Sequence, residues 1–309
     1  MHDVILSIGN LNLDVTLTIS KLPEVDEHVE PEEVYISGGG SASNFALAIS
    51  RLGLKSRLLC CTGDDILSTY LIHELESEGV DVKCVRRGSS PGIAIILKSL
   101  EGLKRMIIHR GSNLMLQIND LREDILRDVK HAHIAVSRVE IIRAMLERLK
   151  SRSICTSIDL NVIPEKYINY IHHLQDLNII FMNYARYRLI FKVEDFEKVK
   201  DKINAEEIVI TMGSKGALAI KDRIYRVTAF KVKTVDTTGA GDAFAAGYIA
   251  GKLLNLEIED RLVFASACAA LKVTKLGARS APRLSEVLNF LEKNGLSDLA
   301  DKVTKSLPK

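Results

Sequence analysis

Short apolar runs rich in β-branched residues alternate with helical patterns along most of this 309-residue chain. That rhythm limits the possible folds more than any other feature. Val4–Ile8, Arg57–Cys61, His133–Val136, Ile154–Ile158, Ile179–Met182, Ile208–Thr211 and Ala217–Ile220 read as strands buried on both faces. Ser43–Leu52, Ile66–Glu78, Glu140–Leu149, Pro164–His172, Tyr184–Phe191 and Phe196–Ile203 read as helices between them. Repeated β–α units predict a mostly parallel sheet covered by helices on both faces, a three-layer α/β/α sandwich. Near the C-terminus the pattern becomes helical, over Ala243–Lys252, Glu257–Lys275, Leu284–Lys293 and Leu296–Val303.

Two segments break the rhythm. Val15–Ile19 with Val34–Ile36, and Gly92–Lys98 with Lys104–His109 across a turn at Glu101-Gly102, alternate like half-exposed strands and have no helix of their own. They are expected to form a small β lid rather than an edge hairpin on the main sheet. The lid segments, about 12–37 and 91–112, sit inside one domain spanning 1–309. No linker, internal repeat or low-complexity tract divides the chain.

The densest chemical signal is Asp236-Thr237-Thr238-Gly239-Ala240-Gly241-Asp242-Ala243-Phe244. A strand-like run, Ile224 to Val235, leads into it, and a helix leads out. Small residues at a helix N-terminus leave N–H groups uncovered, where the helix dipole attracts anions. Asp242 stands in that first turn. A donor nest beside a carboxylate suits phosphoryl transfer: the nest holds charge developing on the phosphoryl group, and the acid takes a proton from the attacking hydroxyl. A plain strand-to-helix turn with Asp242 as a cap is the simpler alternative.

Composition sets the boundaries. A formal net charge of +2 leaves no basic footprint for nucleic acid. No apolar run approaches the roughly 20 residues that cross a bilayer. The start, Met1-His2-Asp3-Val4-Ile5-Leu6, runs into a strand without a signal-peptide pattern, so a cytoplasmic protein is expected. Cys60, Cys61, Cys84, Cys155 and Cys268 form no CxxC pair and read as reduced thiols.

The nine-residue signature resembles that of the ribokinase family, the PfkB carbohydrate kinases, and further segments resemble the family in the same order. Gly39, Gly40 and Asn44, in Gly38-Gly39-Gly40-Ser41-Ala42-Ser43-Asn44, match its N-terminal Gly-Gly-x-x-x-Asn. Gly9-Asn10-Leu11-Asn12-Leu13-Asp14 follows the first strand. Weaker marks are Gly63-Asp64-Asp65, Arg110-Gly111-Ser112-Asn113 and Asp159-Leu160-Asn161. Thr211-Met212-Gly213-Ser214-Lys215-Gly216 matches a Thr-x-Gly-x-x-Gly nucleotide loop and is not a Walker A loop.

The resemblance implies an ATP-dependent sugar kinase. Asp242 would be the base, with Gly239, Ala240 and Gly241 as the anion hole. Asp14, Asn12, Gly39, Gly40, Asn44 and Arg110 would hold the sugar. Asn183, Arg186, Thr211, Gly213, Gly216 and Ser266 would lie on the ATP side, with Mg²⁺ on the phosphates. Asp236 and Ser280, near Gly277, resemble a loop that binds a monovalent cation, K⁺, in many relatives. One departure stands out: where the family has Asn-x-x-Glu beside Mg²⁺, this chain has Asn183-Tyr184-Ala185-Arg186. A nucleoside kinase and a non-catalytic sugar- or nucleotide-binding regulator remain alternatives, though Tyr35 is the one clear lid aromatic. A homodimer through the lids is expected.

Overall fold

The computed structural model describes residues 3–100, 103–174, 177–192, 195–200 and 202–307. β1 (Val4–Gly9) leads to β2 (Asn12–Ile19), β3 (Glu33–Gly39) and α1 (Ser41–Arg51). β4 (Lys55–Leu59), β5 (Cys61–Gly63), α2 (Ile66–Ser77), β6 (Arg86–Gly88), β7 (Gly92–Ser99) and β8 (Lys104–His109) follow. The chain continues through β9 (Val129–Ala135), α3 (Val139–Lys150), β10 (Cys155–Asp159), β11 (Leu177–Asn183), α4 (Tyr184–Phe191) and β12 (Ala205–Thr211). It ends with β13 (Ala217–Ile220), β14 (Ile224–Val227), α5 (Ala240–Leu253), α6 (Ile258–Val273), α7 (Leu284–Lys293) and α8 (Ser297–Ser306).

The main sheet has the order β14-β13-β12-β11-β10-β9-β1-β4. Its pairings from β4 to β12 are parallel, and β13 and β14 are antiparallel. The period of two sends alternate residues to opposite faces. Ile179, Phe181 and Val209 join the core under α1, α5 and α6. Ile180, Met182, Ile208 and Ile210 join the core with α3 and α4. Both faces are thus covered, and the expected sandwich is borne out.

The small sheet is separate, in the order β3-β2-β7-β8. Its register gives it two distinct faces. Asp14 lies beside Ser37 and Ala94, and Thr16 beside Tyr35 and Ile96. The other face carries the row Val15, Ile36, Ile95 and Ile107. The turn expected at Glu101-Gly102 lies outside the described residues.

Four expectations about local structure need correction. The run Ile224–Val235 is strand only to Val227, because its partner β13 begins at Ala217, opposite Val227, and the ladder has nothing further to pair with. The segment expected as a helix over Pro164–His172 is a 3₁₀ helix, Glu165–His173. Ile168, Ile171 and Leu174 are all buried, and their spacing of three suits a helix of three residues per turn. Over Phe196–Ile203, among the described residues, only a 3₁₀ turn, Glu197–Val199, forms, since a short segment gains too little to repay helix nucleation. The strand expected over Arg57–Cys61 also divides at Cys60, where β5 leaves the main sheet to pair with β6.

Candidate active site

The C-terminal ends of β1, β10, β11 and β12 open on one side of the sheet, the place where ligands approach parallel sheets. β2 leaves β1 there and carries Asp14 into the lid. β3 returns to Gly38-Gly39-Gly40, and α1 begins at Ser41. Asn12 pairs with Gly39 and Asp14 with Ser37 in the β2–β3 ladder. A Cβ at Gly39 would fall 2.1 Å from an Asp14 carboxylate oxygen; only glycine lets the strand lie against the acid. The Ser43 hydroxyl donates to the Gly39 and Gly40 carbonyls at 2.6 and 2.9 Å, which closes the turn.

This turn brings Asp14, Asn44 and Asp242 into one polar cluster. Asn44 Nδ2 donates to Asp242 Oδ2 at 2.8 Å, joining α1 to α5. Asp14 Oδ1 and Asn44 Oδ1 are buried without a hydrogen-bond partner. Two buried acceptors are costly unless donors reach them, and sugar hydroxyls are such donors. Burial pushes the Asp14 carboxyl up to about 6, with nearby Arg279 opposing and Asp236 assisting.

Asp242 stands in the first turn of α5, whose N-cap is Gly239 in the left-handed conformation (φ 79°) with no capping side chain. A Cβ there would fall 2.4 Å from the Ala278 carbonyl oxygen, so glycine is required on both counts. An ideal Cβ at Gly241 would meet nothing within 4 Å, so that backbone faces open space. Burial pushes the Asp242 carboxyl up to about 7; the Asp159 and Asp14 charges add to the rise, and hydrogen bonds from Asn44 and Ser41 limit it. An acid with a midpoint near neutrality, at the positive end of a helix, can accept a proton and release it again.

Across a small crevice from Asp242 lie Asp159, Asn161 and Thr211. Asp159, pushed up to about 6 by burial, accepts from the Asn161 backbone and side chain at 2.9 and 2.7 Å. Asn161 Oδ1 in turn accepts from the Asn183 N–H at 2.9 Å. Asn183 caps α4 by accepting from the Arg186 N–H at 2.8 Å. Arg186 Nη2 donates to the Asn161 carbonyl at 3.0 Å, and its Nη1 is buried without a partner. Arg186 is therefore held in this cluster with one donor free for an anion. At the end of β12 the Met212 N–H donates to Gly216 O at 2.8 Å and the Gly216 N–H to Gly213 O at 3.0 Å, forming the expected tight loop.

Four functional candidates were weakly signalled or unsignalled in sequence. Asn113 takes the Leu11 N–H on its Oδ1 at 3.0 Å and donates to Asn12 Oδ1 at 2.8 Å. It fixes Asn12, and Gly-Ser-Asn after the lid was its only mark. Asn161 has the bridging role just described. Arg279 is buried behind Gly38, paired with Glu74, and donates to the Ser43 hydroxyl at 3.2 Å. Lys104, an ordinary lid lysine by sequence, donates to Asp236 Oδ1 at 2.8 Å and Thr238 Oγ1 at 2.9 Å. Arg110 is half-buried at the N-cap of the 3₁₀ helix Gly111–Met115, which carries Asn113. Ser266 is buried on α6. Among the described residues, no hydrogen bond ties it to the Thr211–Gly216 loop.

The expected monovalent-cation loop takes a different form. Asp236 and Ser280 do share a loop cluster, but hydrogen bonds within the protein engage both side chains. Asp236 accepts from Lys104, from the Thr238 N–H and hydroxyl at 3.0 and 2.8 Å, and from the Gly277 N–H at 3.0 Å. Lys272 Nζ donates to the Asp236 carbonyl at 2.9 Å. The Ser280 hydroxyl turns back to Gly277 O at 2.8 Å. Burial would raise the Asp236 carboxyl, but Lys104, Thr238 and Lys272 outweigh it and hold it well below the usual range. This donor set does not fit a bound K⁺.

A parallel α/β sheet with a β lid, a carboxylate at a helix N-terminus and unpaired acceptors for hydroxyls defines a small-molecule phosphotransferase. The chain belongs to the pfkB family of carbohydrate kinases, whose model matches residues 3–284. It is 31% identical over 293 residues to an ATP-dependent ribose-1-phosphate kinase of Halopiger xanaduensis, covering 93% of this chain and 97% of that one. A ribokinase of Arabidopsis thaliana, solved with ribose and ATP, superposes with a TM-score of 0.83 at 22% identity, covering 94% of this chain and 99% of that one. An Escherichia coli protein assigned as a ribokinase II, solved with ATP and Mg²⁺, has a TM-score of 0.82 at 23% identity, covering 95% of this chain and 100% of that one. The protein is accordingly an ATP-dependent carbohydrate kinase acting on a sugar or sugar-like hydroxyl.

Proposed function

We propose that this kinase phosphorylates a hydroxyl of an anionic pentose, a pentose 1-phosphate foremost. The observation that carries the site assignment is the trio Asp14, Asn44 and Asp242, with two unpaired buried acceptors beside an acid of raised pKa. In this reading Asp14 and Asn44 accept hydrogen bonds from sugar hydroxyls, and Asn12 and Asn113 complete the wall. Arg110, beside that wall, pairs with the substrate anion. The activity of the Halopiger relative supports the anionic substrate. The whole chain acts as one kinase domain, with the four-stranded sheet closing over the sugar.

The reacting hydroxyl gives its proton to Asp242 as its oxygen attacks the γ-phosphoryl group and ADP leaves. The N–H groups of Gly239, Ala240 and Gly241 hold the charge that gathers on the transferred group. Arg186 pairs its free donor with nucleotide phosphate, and the Thr211–Gly216 loop, with Ser266 beyond it, lines the nucleotide. Among the described residues no group of three or more acidic, histidine or cysteine ligands could seat a metal. Mg²⁺ bound with ATP beside Asn183 and Arg186 would supply charge neutralisation on the phosphates.

Two further readings accompany this one. The exposed residues Val34, Ile36 and Ile107, on the lid face opposite Asp14, form an apolar sheet surface suited to pairing with a second copy. The five free thiols fit a reducing, cytoplasmic compartment.

A substrate panel tests the proposal. ATP turnover is measured with ribose, ribose 1-phosphate, fructose, sugar acids and nucleosides. The expected result is highest kcat/KM on the pentose phosphate, with nucleosides at least 100-fold lower. A preference for nucleosides would overturn it in favour of the nucleoside-kinase alternative.

A further inference from the structure

The loop that feeds the N-terminus of α5 is held by two ammonium groups, one from α6 and one from the lid. Lys272 stands in the last turn of α6 with its side chain fully buried. Its Nζ donates to the Asp236 carbonyl at 2.9 Å and reaches the Lys275 carbonyl at 3.4 Å. Lys104 reaches the loop from the first position of β8. It lies on the Asp14 face of the lid, paired with Lys98 in the ladder. Its Nζ binds Asp236 Oδ1 and Thr238 Oγ1. Thr238 precedes Gly239, so the lid contact lies one residue from the turn that faces the phosphoryl group.

We propose that Lys272 and Lys104 are positioning residues that replace a bound monovalent cation, and that turnover here needs no such ion. Carbonyl and carboxylate oxygens gathered in a loop repel one another, and a cation among them fixes their spacing. Here covalently attached cations supply that charge. Asp236 brings one negative charge against two ammonium groups, so a third cation would meet net repulsion. Lys272 is anchored in α6 and needs no ion from solution. Lys104 belongs to the lid, so lid position and the shape of the α5 turn are joined through a single salt bridge.

The experiment compares choline, Na⁺ and K⁺ chlorides at equal ionic strength, on wild type, Lys272→Ala and Lys104→Met. Melting temperature and turnover are read together. Wild type should show equal kcat in the three salts within twofold and no K⁺-specific rise in melting temperature. Lys272→Ala should lose at least tenfold in kcat with sugar KM changed less than threefold. K⁺ should restore part of that loss and raise the variant's melting temperature, because the removed ammonium leaves its oxygens free for an ion. Lys104→Met should lower kcat and raise sugar KM together, since it cuts the lid contact. Threefold or greater K⁺ activation of wild type would overturn the proposal. So would a folded Lys272→Ala with unchanged kcat, or one whose loss K⁺ does not restore. If Lys272→Ala fails to fold, the wild-type salt series and Lys104→Met decide. The turnover arm rests on the kinase reading and the melting arm does not, so a folded wild type inactive in every salt would count against that reading alone.

Discussion

Asp242 is the residue on which most of the physics converges. Its carboxyl is pushed up to about 7 by burial and by Asp159, and Asp14 and Asp159 are pushed up to about 6. A base must be deprotonated, so kcat/KM should rise about tenfold per pH unit below roughly pH 7 and level off above it. A profile flat from pH 5 to 8 would remove Asp242 from the role of base. Stability runs the other way. All three acids have folded pKa values above their unfolded ones, so the folded state holds their protons more tightly. The stability they lend is present below about pH 4 and is lost as pH rises through 6 to 7. Asp242→Asn cannot ionise and should keep the bond from Asn44 through its amide oxygen. It should therefore melt higher than wild type at pH 8, by on the order of 2 kcal/mol, and equally at pH 4. Thermal denaturation at the two pH values checks this. Arg110→Ala tests the substrate anion: KM for a pentose phosphate should rise at least tenfold and KM for the free pentose less than threefold. Equal changes would take Arg110 away from the anion.

At the scale of elements, the parallel core and lid were legible because each strand carries its own period. Val209 and Ile210, or Ile179 and Ile180, serve opposite faces, and their β-branched runs said so in advance. The ends of elements were less legible, because partners decide them. Val227 stops β14 opposite Ala217, where β13 begins, and the spacing of Ile168, Ile171 and Leu174 tightens a helix to three residues per turn. The site was legible where it rests on glycine and short polar residues in sequence, as at Gly39, Gly40, Asn44 and Gly239 to Asp242. It was not legible where long side chains cross the fold. Lys104 meets Asp236 from 132 residues away, and no local pattern announces that meeting. The lid also carries a test of its own. Ile36 and Ile107 are 57% and 60% exposed, on the face opposite Asp14. If two copies pair there, Ile36→Glu should convert a dimer to a monomer by light scattering at micromolar concentration. A monomeric wild type, or a dimer unchanged by the substitution, would reject that interface.

On the whole molecule, the site follows from topology rather than from the size of a hollow. A hollow of about 660 Å³ lies against Cys155, Asn178 and Glu206, at the opposite ends of β10 to β12. The polar cluster gathers instead where Gly9, Asp159, Asn183 and Thr211 end their strands, with the lid on one side and the α5 N-terminus on the other. Two apolar layers fix that geometry, and Lys104 ties the lid to it through Asp236. The central claim is that this arrangement transfers the γ-phosphoryl group of ATP to a sugar hydroxyl with Asp242 as the base. The most direct measurement is kcat for the preferred sugar, wild type against Asp242→Asn, with binding of both substrates measured on the same preparations. The account predicts that the variant binds both substrates within about threefold of wild type and loses about 10²–10⁴ in kcat. Near-normal turnover by a folded Asp242→Asn would contradict it.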